Sequence, residues 1–213
     1  MAPGVTQKSG DSAQESSEPQ EWRPIRPNMV ITGTPGVGKT SFSTELAREL
    51  GLRHIEVGVF ARERNLLADH DPLRNAFYMH EDAVLDELEP LMTDGGIILD
   101  HHSCDWYPER WIQMVICLRA STEALYDRLE QRGYSSHKLN ENMEAEIMQV
   151  VFEEAVNSYP NIPVLQLQND NEEQKRRNIN EVKRLWRSLV RRFENHGENL
   201  ISDTGAGVDG SVS

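Results

Sequence analysis

The chain has 213 residues, with 35 Asp and Glu against 22 Lys and Arg and a formal net charge of −13. That length holds one α/β domain with a full core plus tails, and the acidic excess excludes a surface that binds nucleic acid over its whole extent. Cys104 and Cys117 fit neither a metal-ligand spacing nor a disulfide framework, and no apolar run approaches a membrane span, so a soluble protein of a reducing compartment is expected.

Residues 1–27 are rich in Ser, Gln, Glu, Gly and Pro, with Trp22 and Ile25 as the bulky apolar side chains of note. Such a segment buries too little surface to offset the entropy of ordering it, so a disordered N-terminal arm is expected. The Gly, Ser and Asp content of 196–213 predicts a disordered C-terminal tail in the same way. Between them, residues 28–195 alternate short apolar runs with helical stretches. Strands are expected at Met29–Thr32, His54–Val57, Gly96–Asp100, Ile112–Leu118 and Val164–Leu167. Helices are expected at Lys39–Leu50, Gly58–Leu67, Glu81–Met92, Thr122–Arg132, Lys138–Ser158 and Glu172–Phe193. The alternation predicts βαβ units and an α/β fold, a parallel five-stranded sheet with helices on both faces.

The first strand runs into Gly33-Thr34-Pro35-Gly36-Val37-Gly38-Lys39-Thr40, which fills every fixed position of G-x-x-x-x-G-K-[ST]. Phosphate oxygens need a ring of backbone N–H groups, and Gly36 and Gly38 carry no Cβ to hold the backbone away from them. Lys39 supplies a mobile positive charge, the Thr40 hydroxyl can ligand Mg²⁺, and the following helix aims its positive dipole end at the same anion. Phe42, Leu46, Ala47 and Leu50 recur at helical spacing, and Gly51 follows as a C-terminal cap. Strand, loop and helix are in register, which marks a P-loop NTPase rather than a Gly-rich turn.

Further on, Gly96-Ile97-Ile98-Leu99-Asp100 is an apolar strand ending in a carboxylate, the form of a Walker B element that holds Mg²⁺ directly or through water. Two readings of the following pair are open. One imidazole caps a loop while the other is exposed, or His102 stands over the phosphates and orients a water. Phosphoryl transfer also needs cationic clamps. Arg128 and Arg132 lie at i, i+4 before Gly133, where Arg132 suits a lid over ATP and Arg128 suits a structural role. Arg62 and Arg64, after the second strand, can reach an acceptor, or one of them is simply solvated. No Asn-Lys-x-Asp stretch is present, which favours ATP over GTP.

Together the P-loop, Val57-Gly58, Ala61-Arg62-Glu63, Asp100-His101-His102, Cys104-Asp105, Pro108-Glu109-Arg110-Trp111 and Arg132-Gly133-Tyr134 resemble the adenylate kinase isoenzyme 6 family of nuclear ATPases and small-ribosomal-subunit maturation factors. The likeness runs from about Asn28 to Tyr159. It implies a nucleoside-monophosphate-kinase fold with a short acceptor region, about Glu56–Met79, and a short lid, about Gln131–Glu141. It further implies broad nucleoside monophosphate kinase activity (ATP + AMP = 2 ADP) with ATPase activity. A platform ribosomal protein as partner, a part in 18S rRNA processing, and residence in nucleus and cytoplasm also follow from it. Carried over by position, Gly36, Gly38, Lys39, Thr40, Ser41 and Arg132 would hold ATP, and Arg62 would face the AMP phosphate. Thr40 and Asp100 would hold Mg²⁺, partly through water, while Lys39, Asp100, His102 and Arg132 would be catalytic.

Three departures stand out. Val59 replaces an acid of the acceptor region, Asp71-Pro72-Leu73-Arg74-Asn75-Ala76-Phe77 replaces an acidic, Tyr-containing segment, and the last helix is basic. From Lys175 to Arg192 that helix carries Lys or Arg at 175, 176, 177, 183, 184, 187, 191 and 192 against the single acid Glu181. Ile179, Val182, Trp186, Leu189 and Phe193 form an apolar stripe, so a sheet-packing helix with a solvated basic face is the plainer reading. Contact with pre-ribosomal RNA is the alternative. Two functions share the ATP cradle: a kinase for AMP or a related nucleotide, and an ATP-driven assembly switch in which water replaces AMP.

Overall fold

Four consecutive buried residues, Met29–Thr32, form β1 at the centre of the molecule. The computed structural model describes residues 22–71 and 76–203, with the side chains of 22–68 and 78–195. The arm over 1–21 and the tail over 204–213 lie outside the described residues. After β1 come α1 (Lys39–Leu50), β2 (Arg53–Glu56), α2 (Val57–Glu63), β3 (Leu67–Asp71), β4 (Ala76–Met79), α3 (Glu81–Asp94) and β5 (Ile97–Asp100). A 3-10 turn (Glu109–Trp111), β6 (Met114–Arg119), α4 (Thr122–Gln131), α5 (Ser136–Ile147), α6 (Val150–Ser158), β7 (Val164–Gln168) and α7 (Glu172–Asp203) complete the chain.

The main sheet is parallel throughout, in the order β2-β5-β1-β6-β7. β1 pairs with β5 on one side (Met29 opposite Ile98) and with β6 on the other (Met29 opposite Met114). Connections leave β1 toward one edge and β6 toward the other, so the order reverses beside β1. Ligands of open α/β sheets bind in the crevice at such a switch point, beyond the carboxyl ends of the strands.

Alternation along the strands splits the core in two. Met29, Ile31, Ile98, Ile116 and Leu118 face α1, α4 and α7 through Phe42, Leu46, Leu125, Leu129 and Trp186. Val30, Leu99 and Val115 face α2, α3 and α6 through Phe60, Leu88, Met92, Ala155 and Tyr159. Buried Asn28, at the foot of β1, ties the second layer down. Its Nδ2 donates to the carbonyls of Met92 (2.9 Å) and Trp111 (3.0 Å), and its Oδ1 accepts from Ile97 N–H (3.0 Å). Every polar atom of the side chain is used, which is what makes its burial tolerable.

The structure departs from the sequence expectations at four places. The helix expected over 58–67 ends at Glu63, and the chain turns into an antiparallel β3–β4 hairpin that no apolar alternation announces. The single helix expected over 138–158 is two, broken at Gln149, a non-glycine residue at φ 57°. The Glu146 carbonyl, which a continuous helix would offer to Val150, instead accepts from Arg119 (2.6 Å) and from Gln149 N–H (3.1 Å). α7 continues to Asp203, into the stretch assigned to the tail. Lastly, residues 22–27, assigned to the arm, lie against the domain. Ile25 N–H bonds to Thr93 O (2.9 Å), and the Arg23 guanidinium covers the Phe193 ring at 3.6 Å and bonds to the Phe193 carbonyl.

Candidate phosphate-binding site

The loop between β1 and α1 takes its shape from three glycines in the left-handed half of backbone space: Gly33 (φ 141°), Gly36 (φ 102°) and Gly38 (φ 97°). At Gly36 a Cβ would meet Leu125 Cδ1 at 2.7 Å and Leu129 Cδ2 at 2.9 Å, and at Gly38 it would meet Asn169 Nδ2 at 2.8 Å. The missing side chains therefore allow α4 and the β7–α7 loop to close on the back of the loop. The sequence reading, in which bare glycines serve the approach of a ligand, accounts for only part of their use. No side chain caps α1, whose N-cap is Gly38, and its first turn holds no acid. The amides of Gly36, Gly38 and Lys39 have no hydrogen-bond partner among the described residues. Orphan amides at a positive helix end make an anion site.

Lys39 curls back into this loop, its Nζ donating to Gly33 O (2.8 Å) and Thr34 O (3.3 Å). Desolvation in the loop lowers its pKa to about 8, opposed by the negative charge of Asp100 and assisted by Arg132. Thr40 and Ser41 are exposed at the start of α1, and Ser41 Oγ accepts from Lys175 Nζ at 3.2 Å. Asp100, only 2% exposed, ends β5 beside β1. One of its oxygens, Oδ2, lies 3.2 Å from His54 Nε2.

The pair after Asp100 divides. His101 is buried, with Nδ1 2.9 Å from Ser103 O, and desolvation drives its pKa down to about 3. His102 is exposed, its ring 4.2 Å from that of His101, and its pKa is lowered by crowding protein and then by Lys39. One imidazole thus caps the turn and the other stands open near the Lys39 charge.

A cleft of about 460 Å³ flanks the loop, walled by Gly36, Gly38, Ser41, Arg128, Arg132 and the 169–172 turn. That volume lies within the roughly 300–1,000 Å³ of small-molecule sites. Arg128 spends its donors on the protein, reaching Gly36 O (3.4 Å), Asn169 O (3.0 Å) and Asp170 O (2.5 Å). Arg132, at the end of α4, is exposed at the cleft. Arg64 lies over the Phe60 ring and 3.5 Å from Glu87, so of the two acceptor-side arginines Arg62 is the exposed one without such contacts. Arg62 sits on α2, and no hydrogen bond or ion pair joins it to Lys39 or Asp100. Val59 is half-buried on the same helix, and residues 72–75 of the altered acceptor segment lie outside the described residues.

The residues fit a hard cation. Among the described residues no cluster of three or more His, Cys, Asp or Glu forms a metal cage. One nearly buried carboxylate and one hydroxyl match an ion that keeps water and phosphate oxygens in its shell, as Mg²⁺ does.

Sequence reasoning missed several residues around the loop. Glu146 of α5, 4% exposed, accepts from the Thr34 hydroxyl (2.5 Å), Arg119 Nε (2.5 Å) and Ala120 N–H (3.1 Å), tying the loop to the end of β6. Asn169 donates to Val37 O at 2.8 Å, while its Oδ1 has no partner in the cleft wall. These contacts join residues far apart in the chain, and no local pattern announces them.

A family model described as an AAA domain matches residues 29–149. The chain is 43% identical to the adenylate kinase isoenzyme 6 homolog of Caenorhabditis elegans, over 74% of this chain and 87% of that protein. It is 44% identical to that of Dictyostelium discoideum, over 67% and 81%. The shikimate kinase from Acinetobacter baumannii in complex with shikimate superposes with a TM-score of 0.54 at 14% identity, over 77% of this chain and 94% of that one, a likeness of fold alone.

Proposed function

The chain belongs to the adenylate kinase isoenzyme 6 family, and we propose that it transfers the γ-phosphoryl group of ATP to AMP or a related nucleoside monophosphate and also hydrolyses ATP. The observation that carries this reading is the loop of positive-φ glycines, its orphan amides at an uncapped helix end, with a lysine inside it and Asp100 on the adjacent strand end. Phosphoryl transfer asks little covalent chemistry of a protein, so positioning and charge carry the rate.

The residues divide the work as follows. Amides of Gly36, Gly38 and Lys39, with the Thr40 and Ser41 hydroxyls, hold the phosphates. Lys39 leaves the carbonyls of Gly33 and Thr34 for phosphate oxygens, and Arg132 closes over them from the end of α4. Arg62 holds the acceptor phosphate. Thr40 and Asp100 hold Mg²⁺, in part through water, and when bound the ion neutralises charge on the transferring group. His102 orients the incoming water or the acceptor oxygen.

A second reading, an ATP-driven switch in small-ribosomal-subunit maturation and 18S rRNA processing, draws on two observations. Val59 stands where an acceptor-side acid is expected, and α7 exposes Arg184, Arg187 and Arg191. On this reading the protein works in nucleus and cytoplasm with a platform ribosomal protein, and the arginines of α7 touch pre-ribosomal RNA.

A coupled assay on the full chain separates the readings. ADP formed in an AMP-dependent manner supports the kinase, whereas phosphate released at the same rate without AMP supports the switch. Lys39→Ala is expected to reduce either turnover at least about 100-fold, the scale of losing a charged donor to the transition state. Undiminished turnover in that variant contradicts the assigned cradle.

A further inference from the structure

β2 is the edge strand of the main sheet, and alternation sends Ile55 into the core shared with α2 and α3. Its neighbour His54 therefore points to the other face, where α1 lies. In β5 the same alternation puts Ile98 on the α1 face and Leu99 on the opposite one, which returns Asp100 to the α1 side. The register sets His54 opposite Ile98 and Glu56 opposite Asp100, so His54 and Asp100 are diagonal neighbours on one face of adjacent strands. Diagonal pairs are within reach of long side chains. Here the ring spans the gap: Nε2 lies 3.2 Å from Asp100 Oδ2, and Nδ1 lies 3.3 Å from the Thr44 hydroxyl of α1.

The partners decide the tautomer. A carboxylate accepts only, so Nε2 carries the hydrogen, and in the neutral ring Nδ1 accepts from the Thr44 hydroxyl. Thr44 stands one helical turn beyond Thr40, on the same face of α1. The imidazole thus bridges the two elements that present the oxygens assigned to the cation, α1 through Thr40 and β5 through Asp100. It also settles which carboxylate oxygen is engaged. The terminal torsion of an aspartate is broad and two-fold, so a free carboxylate exchanges its oxygens readily. With Oδ2 held by His54, no donor among the described residues reaches Oδ1.

We propose that His54 is a positioning residue for the metal-binding carboxylate: through Nε2 it orients Asp100, and through Thr44 it fixes that carboxylate relative to the start of α1. His54 itself touches neither nucleotide nor cation. The proposal deepens the reading of the loop as a Mg²⁺-nucleotide site and rests on it. Outer partners of metal ligands set ligand orientation, and losing one costs about 10–100-fold in metal affinity. Along the sequence His54 is only the first residue of an expected strand.

The experiment measures ADP binding to the full chain by calorimetry, first in EDTA and then across a Mg²⁺ or Mn²⁺ titration, for the wild type, His54→Ala, His54→Gln and Thr44→Val. His54→Ala is expected to raise the metal concentration for half-maximal enhancement of ADP binding about tenfold, with metal-free ADP affinity unchanged within about twofold. His54→Gln, whose amide nitrogen can stand where Nε2 does, is expected to recover most of that loss, and Thr44→Val to fall between. A merely structural tie would lower metal-free and metal-dependent binding together, and that result overturns the proposal, as does a metal midpoint that His54→Ala leaves unmoved. Should His54→Ala not fold, an unmoved midpoint in Thr44→Val overturns it equally. A wild-type chain whose ADP binding is absent, or indifferent to the metal, defeats the reading of the loop itself. That failure is visible before any variant is compared.

Discussion

Lys39 and His102 carry the most chemistry per residue, and their surroundings make separate, checkable demands. Unliganded, Lys39 is held to two carbonyls and desolvated, with a pKa of about 8. A bound polyphosphate favours the ammonium and raises that value again. Nucleotide affinity is therefore expected to be flat well below pH 8 and to fall as pH rises through it. Binding at about pH 8.5 is expected to take up a proton, and binding at about pH 6.5 to take up none from this group. Calorimetry in buffers of different ionisation enthalpy reads the uptake, and equal proton counts at the two pH values contradict it. His102 is open to solvent and unburdened by the bond that engages His101. His102→Gly is expected to lower turnover about 100-fold or more, in the range of general acid–base assistance, while changing ATP affinity less. Equal losses in both would make it a structural residue.

At the scale of elements, α5 is held to the end of β6 by the Glu146–Arg119 charge pair and to the loop by the Thr34 hydroxyl. Glu146 and Arg119 side chains are 5% and 15% exposed, and the carboxylate also holds Thr34 and Ala120. Removing the cation alone strands a buried carboxylate, so Arg119→Met is expected to destabilise the fold by about 3–5 kcal/mol in urea denaturation. Adding Glu146→Gln to that variant is expected to restore part of the loss, because the stranded charge is gone. A double variant no more stable than the single one would show that the pair acts through shape rather than charge. The same contact explains why α5 and α6 do not fuse. Arg119 takes the carbonyl that the next helical turn needs, and the chain leaves the helix at Gln149 without any Gly or Pro to mark it.

For the whole molecule, the acidic net charge of −13 coexists with a basic outer face on α7. Ile179, Val182 and Trp186 are buried against the sheet, as the apolar stripe requires. Lys183 is spent on Glu49 at 2.6 Å and Lys175 on Glu45 and Glu172, whereas Arg184, Arg187 and Arg191 are exposed. The plainer expectation of a sheet-packing helix is met, and the same geometry leaves the arginine row free for the proposed RNA contact. In the full chain, retention on single-stranded RNA is expected to fall steeply with salt and to weaken when these three arginines become glutamine. Retention indifferent to both would remove RNA from the proposed partners.

Much of this was legible along the chain because its causes are local. The spacing of Gly33, Gly36, Gly38 and Lys39 is a constraint on eight consecutive residues, and β1 and α1 occupy the very spans their patterns predict. The fully buried strands also announce themselves, since a parallel sheet covered on both faces needs unbroken apolar runs. What only the folded chain decided depends on strand order and on side-chain direction across elements. His54 meets Asp100 across 46 residues because β2 is laid beside β5, and Thr34 meets Glu146 across 112 because α5 returns over the loop. Hydrophobic periodicity is a one-dimensional signal that specifies which face is buried. It carries no information about which polar group from a distant segment will stand opposite, and that choice belongs to the tertiary structure.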